Sequence, residues 1–195
     1  MDVPATKGIL IQHAVERIQG YLDSGRLSRD QLELRLAAED LAFFDGEKVI
    51  AGLWYPVARH HRLLDLIFEV EGRSDQAMIE LGRAAGEQML RAAAFGAMFE
   101  AAARRGDAGA GTLLVKLADL VLTFTKWRFL GPSLGDFSIE VTEAREVSDH
   151  ACRNVTGLIE VLGSRVLGRS LAVTSERPEP GRILFRGEAR SRAAG

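Results

Sequence analysis

The spacing of apolar residues changes once along this chain, and that change limits the folds open to it. Up to about residue 123 they recur at helical intervals. From "FTKWRFLGPSLGDFSIEVTEA" (124–144) they alternate, with Trp127 and Phe129 on one side of a first strand and Phe137, Ile139 and Val141 on one side of a second. "SDHACRNVTGLIEVLGSRVLG" (148–168) returns to a helix, capped by Ser148, with Val155, Ile159, Leu162 and Val166 as its core face. "RSLAVTSERPEPGRILFRGEA" (169–189) reads as a second hairpin, turning around Pro178 and Pro180-Gly181. Several helices followed by β-β-α-β-β predict an α+β fold, a helical N-terminal layer packed on a small antiparallel sheet.

With 195 residues, the chain is read as a single domain, 1–195: a mainly helical part (1–123), the β-β-α-β-β part (124–189) and a flexible tail (190–195). The helical part divides at its turn signals. "GILIQHAVERIQGYLDSG" (8–25) places Ile9, Val15, Ile18 and Leu22 near helical spacing, with Gly25 as the stop. Ser28 and Gln31 form a capping-box pattern. "FFDGEKVIAGLW" (43–54) carries a turn signal at Asp45-Gly46 and reads as an irregular connection. Pro56 suits the start of a helix whose apolar face holds Val57, Leu64, Ile67 and Phe68. Residues 74–104 read as one long helix opening at Ser74, "GDAGAG" (106–111) as a flexible joint, and "TLLVKLADLVLTF" (112–124) as a further apolar helix.

Net charge is −2, so nothing in the overall balance drives binding to phosphate, and nucleic acid is not expected as a partner. Cys152 is the only cysteine, which rules out an intrachain disulfide and fits a reducing, cytoplasmic setting. The N-terminus lacks the features of a signal peptide, and the apolar stretch at 112–124 is too short and too charged to span a bilayer. G-x-S-x-G, Walker A and H-E-x-x-H patterns are absent, and Cys152 has no identifiable base. The chain is therefore expected to be non-enzymatic, with no catalytic, cofactor-binding or metal-binding residues.

The pair His60-His61 is the most suggestive feature. Adjacent residues on a helix point about 100° apart, so the two cannot readily share an ion. His61 reads as the surface partner of Asp65, four residues on. His60 falls between Leu64 and Ile67 in the apolar sector, as a hydrogen-bonded core residue or a ligand contact. Trp54, Tyr55, Trp127 and Phe129 lie near the helix-to-sheet junction and, with His60, would wall an apolar pocket if they are not simply core. Met78, Leu81, Ala85, Met89, Ala92, Gly96 and Phe99 form a stripe rich in small residues, Gly82 and Gly86 lie on the same helix, and Met78, Gly82, Gly86, Met89 and Gly96 are the candidate dimer residues. A glycine inside a helix costs about 1 kcal/mol against alanine, so close approach of another element is expected there, either a second copy of the chain or a neighbouring helix.

The motifs "KGILI", "WYP", "ELGRAAGEQML", "FSIEVTEA" and "TGLIEVLG" resemble an uncharacterised paralogous family expanded in myxobacteria. In fold the chain is similar to TRAPP transport-complex subunits, four-vinyl-reductase-type domains and haem nitric oxide/oxygen-binding domains. The resemblance implies helices against a small sheet, often with an apolar cavity and often dimeric. Haem-binding members carry an axial histidine in mid-chain and a tyrosine-serine-arginine set for the propionates; here residues 62–149 contain no histidine, and the only tyrosines are Tyr21 and Tyr55. No cofactor is therefore expected. Two functions follow: a homodimeric interaction or signalling-adaptor module with a protein partner, or a sensor or carrier domain holding an apolar small molecule between helices and sheet. A cavity of several hundred cubic ångströms would favour the second.

Overall fold

The computed structural model describes residues 3–104, 107–133 and 136–189. The order of elements is β1 (Ala5–Lys7), α1 (Gly8–Asp23), α2 (Arg29–Arg35), α3 (Ala38–Leu41), β2 (Trp54–Pro56), α4 (Val57–Val70), α5 (Asp75–Arg91), α6 (Ala93–Arg104), α7 (Asp107–Val121), β3 (Lys126–Ser133), β4 (Asp136–Thr142), α8 (Asp149–Leu167), β5 (Leu171–Glu179) and β6 (Arg182–Ala189). The expected α+β architecture is present. The four C-terminal strands form one antiparallel sheet in the order β3-β4-β6-β5, with Trp127 opposite Val141 and Phe129 opposite Ile139. The turn residues Leu134 and Gly135 and the expected flexible tail, 190–195, lie outside the described residues. No helix among the described residues is long and apolar enough to cross a membrane.

The caps read from the sequence are built as expected. Ser28 and Gln31 complete a reciprocal capping box, and Ser74 and Ser148 each accept a hydrogen bond from the backbone N–H three residues on. Other expectations need correction. Residues 74–104 are two helices, because Ala92 takes an extended backbone (φ −73, ψ 122) and separates α5 from α6. "GDAGAG" is not a joint over its described length: from Asp107 it forms the first turn of α7, and Gly111 lies against the Phe129 ring. On α1 the buried face is Ile11, Ala14, Ile18 and Tyr21, rotated from the expected stripe, since Ile9, Val15 and Leu22 are only partly covered. A small sheet, β1 with β2, was not foreseen; three residues are too few to show a period.

Two apolar clusters result. One joins α1, α2, α4 and the start of α5; the other fills the space between the sheet and α5–α8. Polar clamps bind the helical layer. His13 on α1 reaches Gln88 and the Leu81 carbonyl on α5. Asp40, fully buried, accepts from Arg59 and Arg62 on α4. Burial alone would raise the Glu71 carboxyl, but hydrogen bonds from Tyr21, Arg26 and Arg17 hold it down at about 2, tying the end of α4 to α1.

The small-residue stripe on α5 is taken up inside the protomer. A Cβ on Gly82 would collide with the Asn154 carbonyl on α8, one on Gly157 with the Ile79 carbonyl on α5, and one on Gly86 would press on Val161 at 3.0 Å. Met78 and Met89 are buried in the two clusters. The expected dimer surface is thus the seat of α8; only Gly96, on α6, stands clear, with Leu90 O at 3.8 Å from a Cβ. Gly157→Ala is expected to destabilise the protein by about 2 kcal/mol or more through backbone overpacking. Gly20→Ala, where a Cβ meets nothing within 4 Å, should instead stabilise by about 0.5–1 kcal/mol. Chemical denaturation of both variants checks the contrast.

Candidate functional site: a cavity between helices and sheet

The helical layer and the sheet do not close completely. A cavity of about 70 Å³ remains between them. From α4 it receives Val57, His60 and His61, and from α7 Leu114, Leu117, Ala118 and Val121. The sheet contributes Trp127, Val141, Ile183 and Phe185, and α8 contributes Ala151, Asn154, Val155, Leu158 and Leu162. The α8 residues follow helical spacing, so one stripe of that helix faces the cavity. The void is smaller than the several hundred cubic ångströms set out for a carrier, and about half of the roughly 150 Å³ apolar cavity known to take up benzene.

Of the five residues expected around a pocket, two meet there. His60 points inward because it sits in the apolar sector of α4, 6% exposed. Trp127 projects from β3, its ring stacked on Phe185 at 5.8 Å and its Nε1–H donating to Thr125 Oγ1 at 2.9 Å. The other three need correction. Trp54 is 43% exposed on the edge strand β2, with the Lys7 ammonium over its ring. Tyr55, next in the strand, points the opposite way, edge-on to Phe43, its hydroxyl accepting from Ile50 N–H. Phe129 stacks on Phe137 at 5.4 Å, two positions along β3 from Trp127 and beyond the cavity.

The histidine pair divides as its angular separation requires. The two ring centroids lie 6.5 Å apart, and no three His, Cys, Asp or Glu side chains among the described residues converge as metal ligands. The expected His61–Asp65 pair persists only as an electrostatic influence, the Asp65 charge opposing the effect of burial on His61, while Asp65 Oδ1 faces His150 Nε2 at 3.6 Å and the His150 ring stacks on Phe68 at 3.9 Å. Burial lowers the His61 imidazole and pushes His60 down to about 3, with the neighbouring His61 and His13 acting in the same direction. His60 is therefore a neutral imidazole near pH 7, with one donor and one acceptor nitrogen. Cys152 is buried, and burial raises its thiol, so it is not an activated nucleophile.

Sequence reasoning missed Asn154. Its signal was a polar residue on the stripe Ala151, Asn154, Val155, Leu158, whereas the reading of this helix followed the Val155–Ile159–Leu162–Val166 face, part of which packs on the sheet.

No protein-family model matches the chain, and no curated protein matches it in sequence. Solved structures do. A single-residue mutant of the iron(II) unliganded H-NOX protein from K. algicida has a TM-score of 0.66 at 11% identity, over 96% of this chain and 98% of that one. An oxygen-binding H-NOX domain related to soluble guanylate cyclases has a TM-score of 0.57 at 14% identity, over 95% of each chain. A mutant of the T. tengcongensis H-NOX has a TM-score of 0.56 at 13% identity, over 95% and 98%. At this identity the likeness is one of fold, and it meets the haem-domain branch of the resemblance in the sequence.

A haem does not fit the cavity. The volume falls well below the roughly 300–1,000 Å³ of pockets that enclose drug-sized ligands. His60 could offer an imidazole, but no Arg or Lys is among the lining residues to balance two propionates.

The lowered His60 sets a pH dependence. The unfolded imidazole binds a proton near 6.5 and the folded one only near 3, so the unfolded state holds more protons between these values. Stability is complete above pH 6.5 and falls as pH drops toward 3. At about 1.4 kcal/mol per pH unit, the loss from this group by pH 5 is about 2 kcal/mol. Urea denaturation at pH 7 and pH 5 should show that loss in the wild type and a smaller one in His60→Gln.

Proposed function

We propose that this chain is the ligand-binding module of a sensor or carrier, taking up a compact, neutral, apolar molecule between its helical layer and its sheet. The observation that carries the reading is His60: a neutral, buried imidazole at the wall of an otherwise largely apolar cavity, with no hydrogen bond to any described residue. A packed core histidine ordinarily satisfies its ring nitrogens within the protein. An apolar enclosure with few polar groups is the usual form of a small-molecule site. The likeness to an oxygen-binding H-NOX domain supports a ligand-responsive role for the same architecture, with a different occupant. The adaptor reading loses its stated surface, since Gly82 and Gly86 face α8. We read the module as non-catalytic and without haem.

Short-chain neutral molecules smaller than benzene, titrated into the full chain and followed by NMR, should produce saturable shifts confined to cavity residues. Ala118→Leu, which fills the space, should abolish them. Native mass spectrometry of freshly purified protein should show any resident molecule as a neutral species removable by solvent. Absence of saturable binding by every neutral probe overturns the reading. Incubation with haemin should give no stoichiometric Soret-absorbing complex; such a complex would overturn the exclusion of haem.

A further inference from the structure

We propose that the cavity selects ligands bearing a hydroxyl group, held between the His60 imidazole and the Asn154 carboxamide. This rests on the reading above and adds the head group.

Eight polar or charged residues are buried among the described residues. Six have partners. Thr6 donates to the Val121 carbonyl, and Asp40 accepts from Arg59 and Arg62. Thr125 accepts from Trp127, and Glu140 accepts from Arg128 and Arg182. Thr156 donates to the Cys152 carbonyl, and Glu160 accepts from Arg83 and from Val173 N–H. The two exceptions are His60 and Asn154, 6% and 7% exposed, and both line the same cavity. Among the described residues, no side-chain nitrogen or oxygen that is sealed from solvent-sized space lacks a partner. The unpartnered atoms of His60 and Asn154 are therefore not sealed, and both residues line the same cavity. Two orphans on different helices, α4 and α8, converging on one void are the mark of a site rather than of a packing fault.

The chemistry of the pair narrows the occupant. A neutral imidazole offers one donor and one acceptor, and a carboxamide offers two donors and one acceptor. A hydroxyl both donates and accepts, so it can serve one group in each sense. A ketone or ether oxygen only accepts, leaving the acceptor side of both residues unmet. A carboxylate or phosphate is disfavoured by the absence of Arg and Lys from the lining, and an ammonium by the absence of Asp and Glu. Leu117, Val121 and Phe185 then cover the carbon skeleton.

Three probes of one skeleton test this in the wild-type chain: sec-butanol, methyl ethyl ketone and isopentane, titrated separately by NMR. The alcohol is expected to bind at least about tenfold more tightly than either counterpart, because the others leave buried polar groups unpaired. The Asn154 side-chain amide and His60 ring signals should move on binding. His60→Leu and Asn154→Leu should each bring the alcohol-to-isopentane ratio toward one; should either variant fail to fold, the wild-type ratio decides alone. Equal affinities, or a tighter ketone, overturn hydroxyl selection and leave the apolar site standing. If none of the three binds and the cavity holds water only, the reading under Proposed function falls, and this proposal with it.

Discussion

Helices α5 and α8 touch backbone to backbone, and the rest of the molecule is arranged around that contact. Gly82 lies under the Asn154 carbonyl and Gly157 under the Ile79 carbonyl, so each helix supplies the glycine that admits the other. At such a separation no side chain fits between the axes, and the flanking residues are turned outward to either side. One flank of α8 then meets the sheet through Cys152 and Ile159, and the other meets α4 and the cavity through Ala151 and Asn154. The helix penalty of the glycines is offset by the dispersion contacts that close approach allows.

That geometry also sets the cavity. With α8 drawn onto α5, its stripe from Ala151 to Leu162 borders, together with α4, α7 and the sheet, a gap of about 70 Å³. His60 stands in that gap as a neutral imidazole because burial removes the water its charged form needs. The void is much smaller than a haem requires, although the fold is similar to that of H-NOX structures over nearly the whole chain. A common architecture can thus enclose different volumes, because volume depends on side-chain size and helix spacing rather than on strand order.

Much of this was legible in the residues. The change from helical spacing to alternation announced the layer order, and Ser28, Ser74 and Ser148 marked helix starts through hydrogen bonds made within three residues. His60 was identifiable because angular position on a helix is a local property. The break at Ala92 was not visible, since alanine is the strongest helix former and only packing turns the chain there. Trp54 and Tyr55 were adjacent in sequence and so looked like one aromatic wall, yet alternation along a strand sends them to opposite faces.

The sequence by itself determined most of the longer elements and their order, the serine caps and the inward face of α4, because each follows from spacing and from bonds within a turn or two. Tertiary structure alone decided what the glycine stripe of α5 meets, that Asn154 joins His60 at one void, and how large that void is. These depend on which distant surfaces come together and how closely, and one apolar stripe is compatible with several partners until the chain is folded.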